Sequence, residues 1–144
     1  MDKRWDIIVA EDDDDDLYIF KIIIEELPLH ALLRRAKHGD ELLQLLVTNI
    51  PDILFLDLLM PRKNGFECLK EIRNDRRYDN LPIVILTSFQ SPESKRLCYD
   101  SGASRFMFKD ADSYTLKSKV AATFTYNWQK SNLQPPYENF IINN

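Results

Sequence analysis

The stretch ILFLDLLMPRKNG, residues 53–65, joins a short apolar run to one carboxylate and then to a turn. The run Ile53–Leu56 is continuous rather than alternating, which is typical of a strand buried on both faces of a parallel sheet. Asp57 follows it directly, and Pro61 and Gly65 are residue types that set the backbone of a turn between strand and helix. The stretch therefore predicts a buried strand that places a carboxylate at the edge of a sheet.

Apolar runs of the same kind recur along the chain, separated by amphipathic segments. Ile7–Ala10, Ile83–Leu86 and Arg105–Phe108 repeat the pattern, and Ala31–Ala36 is a weaker candidate. Between the runs, apolar residues recur at the spacing of a helix. Five strands that alternate with five helices predict an α/β fold, a doubly wound five-stranded parallel sheet with helices on both faces. We expect the flavodoxin-like strand order 2-1-3-4-5.

Single residues predict where several helices begin and end. Asp40 is a candidate N-cap for the second helix, and Ser91 followed by Pro92 favours the start of the fourth. Gly102 suits the end of that fourth helix. In the last helix, apolar residues repeat every four positions over Leu116–Trp128.

The composition excludes several classes of protein. The length of 144 residues corresponds to one domain. A formal net charge of −4 and a pI near 5.2 argue against a nucleic-acid-binding protein, which would present a basic face. The start of the chain lacks the apolar segment of a signal peptide, and no apolar run is long enough to span a membrane. Cys68 and Cys98 lack metal-site spacing and are expected as reduced thiols, so we expect a cytoplasmic protein that binds neither nucleic acid nor membrane.

The C-terminal end differs from the rest of the chain. We expect a domain over residues 1–131 and a tail over 132–144, because the tail contains Pro135-Pro136 and no periodicity. A disordered terminus is the favoured expectation. The alternative is that apolar residues of the tail dock on the domain or on a second subunit; these are Tyr137, Phe140, Ile141 and Ile142.

Polar side chains follow the predicted strands where the strands end. Glu11 and Asp12 follow the first strand, Asp57 the third, Thr87 the fourth and Lys109 the fifth. In an open parallel sheet these ends meet at one edge, where ligands bind. Three carboxylates packed together repel one another, and a hard divalent cation such as Mg²⁺ relieves that repulsion. With a lysine and a hydroxyl nearby the site suits a phosphoryl group, and Asp57 is the candidate nucleophile that would form an aspartyl phosphate.

Each of these residues alone also has an ordinary structural explanation. An acid at a strand end is usually solvated or caps a helix. Within the acidic block, Asp14–Asp16 are better explained as first-turn acids that the helix dipole favours. Glu11 and Asp12 directly follow the buried strand and are the ligand candidates, whereas Asp13 fits either role. The prediction therefore depends on the combination at four strand ends.

Four stretches, in this order, resemble the receiver domains of two-component response regulators. They are IIVAEDD (7–13), ILFLDLLMPRKNG (53–65), PIVILTS (82–88) and GASRFMFKD (102–110), within a match from about Trp5 to Gln129. The resemblance implies a stand-alone, chemotaxis-regulator-like switch that accepts a phosphoryl group.

The resemblance also assigns roles to the acids of the predicted site. Asp57 resembles the phosphoacceptor, which becomes 4-aspartylphosphate. Asp12 and Asp57 resemble direct ligands of Mg²⁺. The backbone carbonyl of Leu59 would be a third ligand, and Glu11 would reach the ion through water.

The remaining site residues follow from the same resemblance. Thr87 and Lys109 resemble the hydroxyl and the ammonium that contact the phosphoryl group, and Phe106 occupies the position of the aromatic switch residue. The family usually has a proline after the lysine, joined through a cis bond, whereas Asp110 stands here.

The leading interpretation is a single-domain response regulator that is not an enzyme. A histidine kinase or a histidine phosphotransfer protein would supply the phosphoryl group, because His30 and His38 of this chain have no site-like context. The signal would pass to an unknown downstream protein through a repacked surface, and a homodimer is among the expected partners.

Two alternatives remain open. A phosphatase of the haloacid-dehalogenase type needs a second acid two residues after its nucleophile, and Leu59 occupies that position. A receiver-like interaction module that needs no phosphorylation is the other alternative. If the switch is correct, the apolar Leu59 and Phe89 are expected to hinder attacking water and prolong the phosphorylated state.

Overall fold

The apolar runs of the sequence form the strands of one parallel sheet. The structure, a computed structural model, describes residues 3–89, 91–109, 112–129 and 133–143. Within them the strands are β1 (Arg4–Ala10), β2 (His30–Ala36), β3 (Ile53–Leu56), β4 (Ile83–Thr87) and β5 (Arg105–Phe108). The helices are α1 (Asp14–Glu26), α2 (Gly39–Thr48), α3 (Gly65–Arg73), α4 (Pro92–Asp100) and α5 (Ser113–Thr123), with short 3-10 turns at Arg76–Tyr78 and Tyr137–Asn139. Among the helices of these residues, none is both long and apolar enough to cross a membrane.

The strand order is β2-β1-β3-β4-β5, and every neighbouring pair is parallel. β3 lies at the centre of the sheet, and all of its residues are buried, as its continuous apolar run predicts. The predicted fold is therefore confirmed in its class, its strand order and its parallel pairing.

Two apolar cores lie on the two faces of the sheet. From β3, Leu54 and Leu56 face a core that contains residues of α2, α3 and α4. Ile53 and Phe55 point the other way, into a core with residues of α1 and α5. Successive strand residues alternate between the faces, so a fully apolar strand supplies both cores. The predicted placement of helices on both faces is confirmed.

Two helix boundaries differ from the sequence prediction. The N-cap of α2 is His38, whose Nδ1 accepts a hydrogen bond from the N–H of Glu41 (3.2 Å), whereas the predicted cap, Asp40, lies in the first turn. An imidazole nitrogen accepts the same bond that a carboxylate would accept. α5 ends at Thr123 and does not continue to Trp128, whose indole N–H donates to the Thr123 carbonyl (2.7 Å). That bond satisfies a carbonyl that the end of the helix leaves without a partner.

The structure settles three further helix signals. Asp13, which the sequence leaves open between two roles, is the N-cap of α1, because its carboxylate accepts a hydrogen bond from the N–H of Asp16 (2.9 Å). α4 begins at Pro92, as predicted, but the Ser91 hydroxyl donates to Glu93 Oε2 (2.7 Å) and does not cap the helix. Gly102 follows the end of α4 with φ of 100°, a left-handed conformation that favours glycine.

The C-terminal segment, residues 133–143, packs along the outer edge of β5, so the expectation of a disordered terminus was wrong. The N–H of Phe106 donates to the Phe140 carbonyl (3.1 Å), and the N–H of Ile142 donates to the Phe106 carbonyl (2.8 Å). The side chains of Phe140 and Ile142 are buried. An edge strand offers unpaired backbone groups, and the segment supplies both the matching groups and the apolar side chains. The predicted boundary at residues 131 and 132 lies outside the described residues.

Candidate functional site

The candidate site lies at the carboxyl end of the sheet, where backbone hydrogen bonds continue past the strands. The N–H of Asp57 donates to the Ala10 carbonyl (3.1 Å), and the N–H of Glu11 donates to the Ala36 carbonyl (3.0 Å). Because β1 and β3 are neighbours, these bonds hold the first residues after both strands at one point of the sheet edge. The carboxylates of Glu11 and Asp57 meet there.

The turn after Asp57 needs a glycine where α3 begins. A Cβ at Gly65 would lie 2.3 Å from the Asp57 carbonyl oxygen, which is closer than any side chain tolerates. The N–H of Gly65 donates to the Leu58 carbonyl (3.0 Å), and a capping box between Asn64 and Glu67 starts the helix. The turn thus fixes the backbone that carries the carboxylate.

Three carboxylates form the acidic cluster of the site. Glu11, Asp12 and Asp57 each offer an oxygen, and these oxygens all lie within 4.8 Å of one another. Glu11 and Asp57 are 4% and 5% exposed, whereas Asp12 is open to solvent. Carboxylate oxygens in this arrangement suit a hard divalent cation that keeps part of its water shell. The acids predicted to bind metal are therefore brought together, and they fit such an ion.

The side chain of Lys109 brings a positive charge to the acids of the site. Its Nζ lies 2.5 Å from Glu11 Oε1, 2.8 Å from Asp57 Oδ2 and 2.8 Å from Asp16 Oδ2. The N–H of Lys109 donates to the Thr87 carbonyl (2.9 Å), so the strand pairing fixes the position from which the side chain reaches the acids. The predicted lysine thus contacts two predicted acids and one further acid, Asp16.

Sequence reasoning assigned Asp16 only to the first turn of α1. The residue does lie in that acidic first turn, but its carboxylate also reaches Lys109. With Asp13 as the N-cap, Asp16 is the third residue of the helix, and helical side chains lean toward the N-terminal end. An acid at that position, in a helix that starts beside the site, is the signal that would have identified it.

Burial and charge shift the pKa values of the site. Burial raises the pKa of Glu11 from 4.5 to about 7, and the charge of Asp57 adds to the rise while Lys109 opposes it. Burial alone would lower the pKa of Lys109, but its hydrogen bonds to Asp16, Asp57 and Glu11 raise it above the ordinary lysine value. The lysine therefore stays charged among acids that outnumber it. Such a surplus of negative charge favours the binding of a cation.

Thr87 belongs to the strand next to β3, and Leu59 lies two residues after Asp57. Thr87 ends β4, is fully buried, and accepts a hydrogen bond at Oγ1 from the N–H of Phe89 (3.1 Å). The N–H of Leu59 donates to Asp57 Oδ1 (3.2 Å). The side chains of Leu59 and Phe89 are 49% and 38% exposed. The backbone of Leu59 thus contacts Asp57, and the roles of the Thr87 hydroxyl and of the Leu59 and Phe89 side chains stay predictions.

Phe106 lies in β5 and belongs to a core rather than to the acidic cluster. It is fully buried and pairs with Ile85 of β4. Its ring centroid lies 5.1 Å from that of Phe108 and 5.9 Å from that of Phe140 in the C-terminal segment. This position suits an ordinary core residue as well as a switch residue. Asp110, the departure from the family pattern, lies outside the described residues.

A family comparison covers most of the chain. The family model described as response regulator receiver domain matches residues 7–121. One curated relative is the CAI-1 autoinducer sensor kinase/phosphatase CqsS of Vibrio cholerae, which is 33% identical over 116 residues. Another, from the same organism, is named a probable cyclic di-GMP phosphodiesterase and is 26% identical over 114 residues.

These matches cover unequal shares of the proteins. They span 80% and 79% of this chain, but only 17% and 25% of the two relatives. Among solved structures, the Mn(2+)-bound form of response regulator Rcp1 superposes with a TM-score of 0.78 at 20% identity. That superposition covers 85% of this chain and 93% of the Rcp1 chain, and at this identity it supports the fold.

Proposed function

This chain belongs to the response regulator receiver domain family, the phosphoacceptor switches of two-component systems, and from that premise we propose that Asp57 accepts a phosphoryl group in a Mg²⁺-dependent reaction. The donor is a histidine kinase or a histidine phosphotransfer protein. One observation carries the proposal: Asp57 is a buried carboxylate that belongs to an acidic cluster and also contacts the ammonium of Lys109. An aspartate with only a structural role would not need both.

Hydrogen bonds hold the Asp57 carboxylate for attack. Lys109 Nζ donates to Oδ2 (2.8 Å), and the N–H of Leu59 donates to Oδ1 (3.2 Å). A carboxylate oxygen attacks the phosphorus of a phosphohistidine, so that a P–O bond forms while the P–N bond breaks. The electron pair of the broken bond stays on the imidazole of the donor, which is then neutral or takes a proton from water. Charge on the transferred oxygens is the main obstacle, and the ammonium of Lys109 reduces it.

The residues that would hold Mg²⁺ are Asp12, Asp57 and the carbonyl of Leu59, with Glu11 acting through water. The ion supplies charge neutralisation for the phosphoryl oxygens when it is bound. The carboxylate oxygens of Glu11, Asp12 and Asp57, all within 4.8 Å of one another, support the part of this assignment that concerns the acids. Response regulator Rcp1, which has the same fold, was solved in a Mn(2+)-bound form.

The output of the switch is a change of packing that a downstream protein recognises. Thr87 is one strand away from Asp57, and Phe106 is one strand further. Phosphorylation draws the hydroxyl of Thr87 toward the new phosphoryl group, and Phe106 moves with it. The surface of α4, β5 and α5 then changes, and a partner protein or a second copy of the chain reads the change.

We expect the residues two positions after Asp57 and Thr87 to set the lifetime of the phosphorylated state. Leu59 and Phe89 are apolar and partly exposed, so they offer no group that positions an attacking water. Replacing Leu59 with Gln, or Phe89 with Gln, should shorten the half-life of the phosphorylated protein severalfold, as followed by its decay after removal of the donor. A wild-type protein that loses its phosphoryl group within seconds in Mg²⁺ would contradict this expectation.

Incubation with acetyl phosphate and Mg²⁺ tests the proposed function directly. The intact protein should gain the mass of one phosphoryl group, and chelation of the metal should prevent the gain. Asp57→Asn should not be modified, whereas Asp15→Asn, which changes an exposed acid of the same acidic block, should behave as wild type. If wild-type protein stays unmodified under these conditions, the chain is an interaction module that works without phosphorylation.

A further inference from the structure

The C-terminal segment is bound to α4 and to the loop that follows it by specific hydrogen bonds. Tyr99 Oη, from α4, donates to the Pro135 carbonyl (2.8 Å). Gln134 Nε2 donates both to the Tyr99 carbonyl (2.7 Å) and to the Ala103 carbonyl (2.8 Å). The segment therefore adds a hydrogen bond to the Tyr99 carbonyl, which also accepts one from the N–H of Gly102 (3.0 Å), and binds the Ala103 carbonyl in the loop after α4.

Aromatic packing attaches the same segment to α4 and β5. The ring of Tyr99 lies 5.0 Å from Tyr137 and 5.1 Å from Phe140, both edge-on. Phe140 also lies 5.9 Å from Phe106, and it is fully buried. Edge-on aromatic pairs at these distances add to the energy of burial. The segment thus adds an aromatic side chain to a core of the domain.

Both backbone groups of Phe106 are bound by the segment. The N–H and the carbonyl of this residue pair with Phe140 and Ile142, as an added parallel strand would. The side chains of Phe140 and Ile142 enter the cores on opposite faces of the sheet. The segment is therefore centred on the residue that the proposed switch moves.

We propose that the C-terminal segment is an intramolecular ligand whose docking opposes phosphorylation of Asp57. It docks on the α4–β5 surface, which consists of α4, the outer edge of β5 and the loop between them. This inference rests on the proposed function. Docking covers the surface that a downstream partner would read. Phosphorylation releases the segment and uncovers that surface.

The opposition has a physical basis in the packing of Phe106. Its side chain is fully buried and packs near the rings of Phe108 and Phe140. The surface on which Phe140 packs therefore keeps its present shape only while Phe106 stays in place. A packed core does not deform continuously, and a moved ring leaves either a cavity or a clash. The coupling is reciprocal, so loosening the segment favours the phosphorylated arrangement as much as phosphorylation loosens the segment.

Hydrogen exchange on the full chain measures whether a phosphoryl group at Asp57 loosens the segment. The N–H of Ile142 is bonded to Phe106 and reports docking directly. With Mg²⁺ and beryllium fluoride, a non-covalent mimic of the phosphoryl group, its exchange should accelerate about fivefold or more. Asp57→Asn under the same conditions should show no acceleration.

Variants of the segment measure the reciprocal effect, that of docking on binding at Asp57. Phe140→Ala should bind beryllium fluoride about fivefold or more tightly than wild type, because the docked state is weakened. Gln134→Ala removes two hydrogen bonds of an exposed side chain, keeps the core intact and should shift the affinity in the same direction by a smaller factor. Glu138→Ala, an exposed residue of the same segment, is the matched control and should bind as wild type.

The outcomes separate the two proposals. If acetyl phosphate modifies Asp57 while the exchange of Ile142 and the beryllium fluoride affinity of the variants stay unchanged, the segment is only a structural edge cover and the inference is overturned. Slower exchange of Ile142 in the presence of beryllium fluoride overturns it as well, because the coupling then has the opposite sign. If Asp57 accepts no phosphoryl group at all, the proposed function fails, and the coupling fails with it.

Discussion

Lys109 and Arg73 are two partly buried cations with opposite surroundings. Lys109 meets three carboxylates at the carboxyl end of the sheet. Arg73, the last residue of α3, hydrogen-bonds to neutral carbonyls at 2.8 Å, those of Gly102, Tyr78 and Leu81. These bonds tie α3 to the loops that lead into β4 and β5. One cation is surrounded by an excess of negative charge, and the other by dipoles that match its donors.

The two surroundings indicate different roles: Lys109 belongs to a binding site, and Arg73 stabilises the fold. Burial lowers the pKa of Arg73 to about 10, although the charge of Asp79 opposes the shift, so the residue remains charged at neutral pH and its donors stay in use. The acids around Lys109 outnumber it, and the negative charge that it leaves unbalanced favours the binding of a further cation. Changes at Lys109 should therefore affect phosphorylation first, and changes at Arg73 should affect stability first.

Lys109→Met should have the largest effect on the proposed reaction. The substitution keeps an unbranched side chain that is one atom shorter, but it removes the charge that faces the transferred oxygens. The rate of phosphorylation by acetyl phosphate should fall about 100-fold or more, as for the loss of one preorganised donor. Lys70→Met, at an exposed lysine, is the control and should leave the rate unchanged. A rate within twofold of wild type for Lys109→Met would show that the ammonium does not assist the transfer.

Arg73→Met should lower stability and leave the reaction intact. Three carbonyls lose a charged donor at once, so the free energy of unfolding should fall by about 3 kcal/mol. Urea unfolding gives this value, and Arg76→Met, at an exposed arginine nearby, should change it by less than about 0.5 kcal/mol. Below the unfolding transition, Arg73→Met should still gain one phosphoryl group. Loss of phosphorylation in the folded variant would remove the distinction between the two cations.

The sequence indicated the site at the carboxyl end of the sheet better than it indicated the structural hydrogen bonds of Arg73. Asp57 and Lys109 each follow a recognisable apolar strand, so strand order alone brings them to one edge. Arg73 contacts the carbonyls of Tyr78 and Leu81, a few residues further along the chain, and that of the distant Gly102. No pattern in the sequence indicates which backbone carbonyls an arginine will bind. Asp16 falls between these cases, because its site contact depends on where α1 starts, which Asp13 determines.

The C-terminal segment shows why periodicity fails for short docked stretches. Phe140 and Ile142 enter two different cores across the edge of β5, so their spacing follows neither a helix nor a strand. Pro135 and Pro136 resemble a flexible terminus in composition. The deciding factor was the unpaired edge of β5, which exists only once the sheet has formed.

The titration of Glu11 tests the surplus of negative charge around Lys109, and its expected effect on stability is the smallest of the three. Its pKa is raised from 4.5 to about 7 because the folded site buries it beside Asp57. The folded state thus holds a proton that the unfolded state has lost between these two pH values. In metal-free buffer, this contribution to stability is complete below about pH 4.5 and is lost as the pH rises through about 7.

Glu11→Gln removes this titration while it keeps the size of the side chain. Relative to wild type, the variant should therefore gain stability as the pH rises from 4.5 to 7, by on the order of 2 kcal/mol or less, in urea unfolding without metal. Saturating Mg²⁺ at pH 8 should stabilise wild type more than the variant, because the charged Glu11 then faces a cation and the variant has lost that charge. Asp15→Asn, at an exposed acid, should follow wild type under every condition. If the difference between Glu11→Gln and wild type does not vary with pH and does not respond to Mg²⁺, the acids around Lys109 are already satisfied, and the contrast with Arg73 is one of residue type alone.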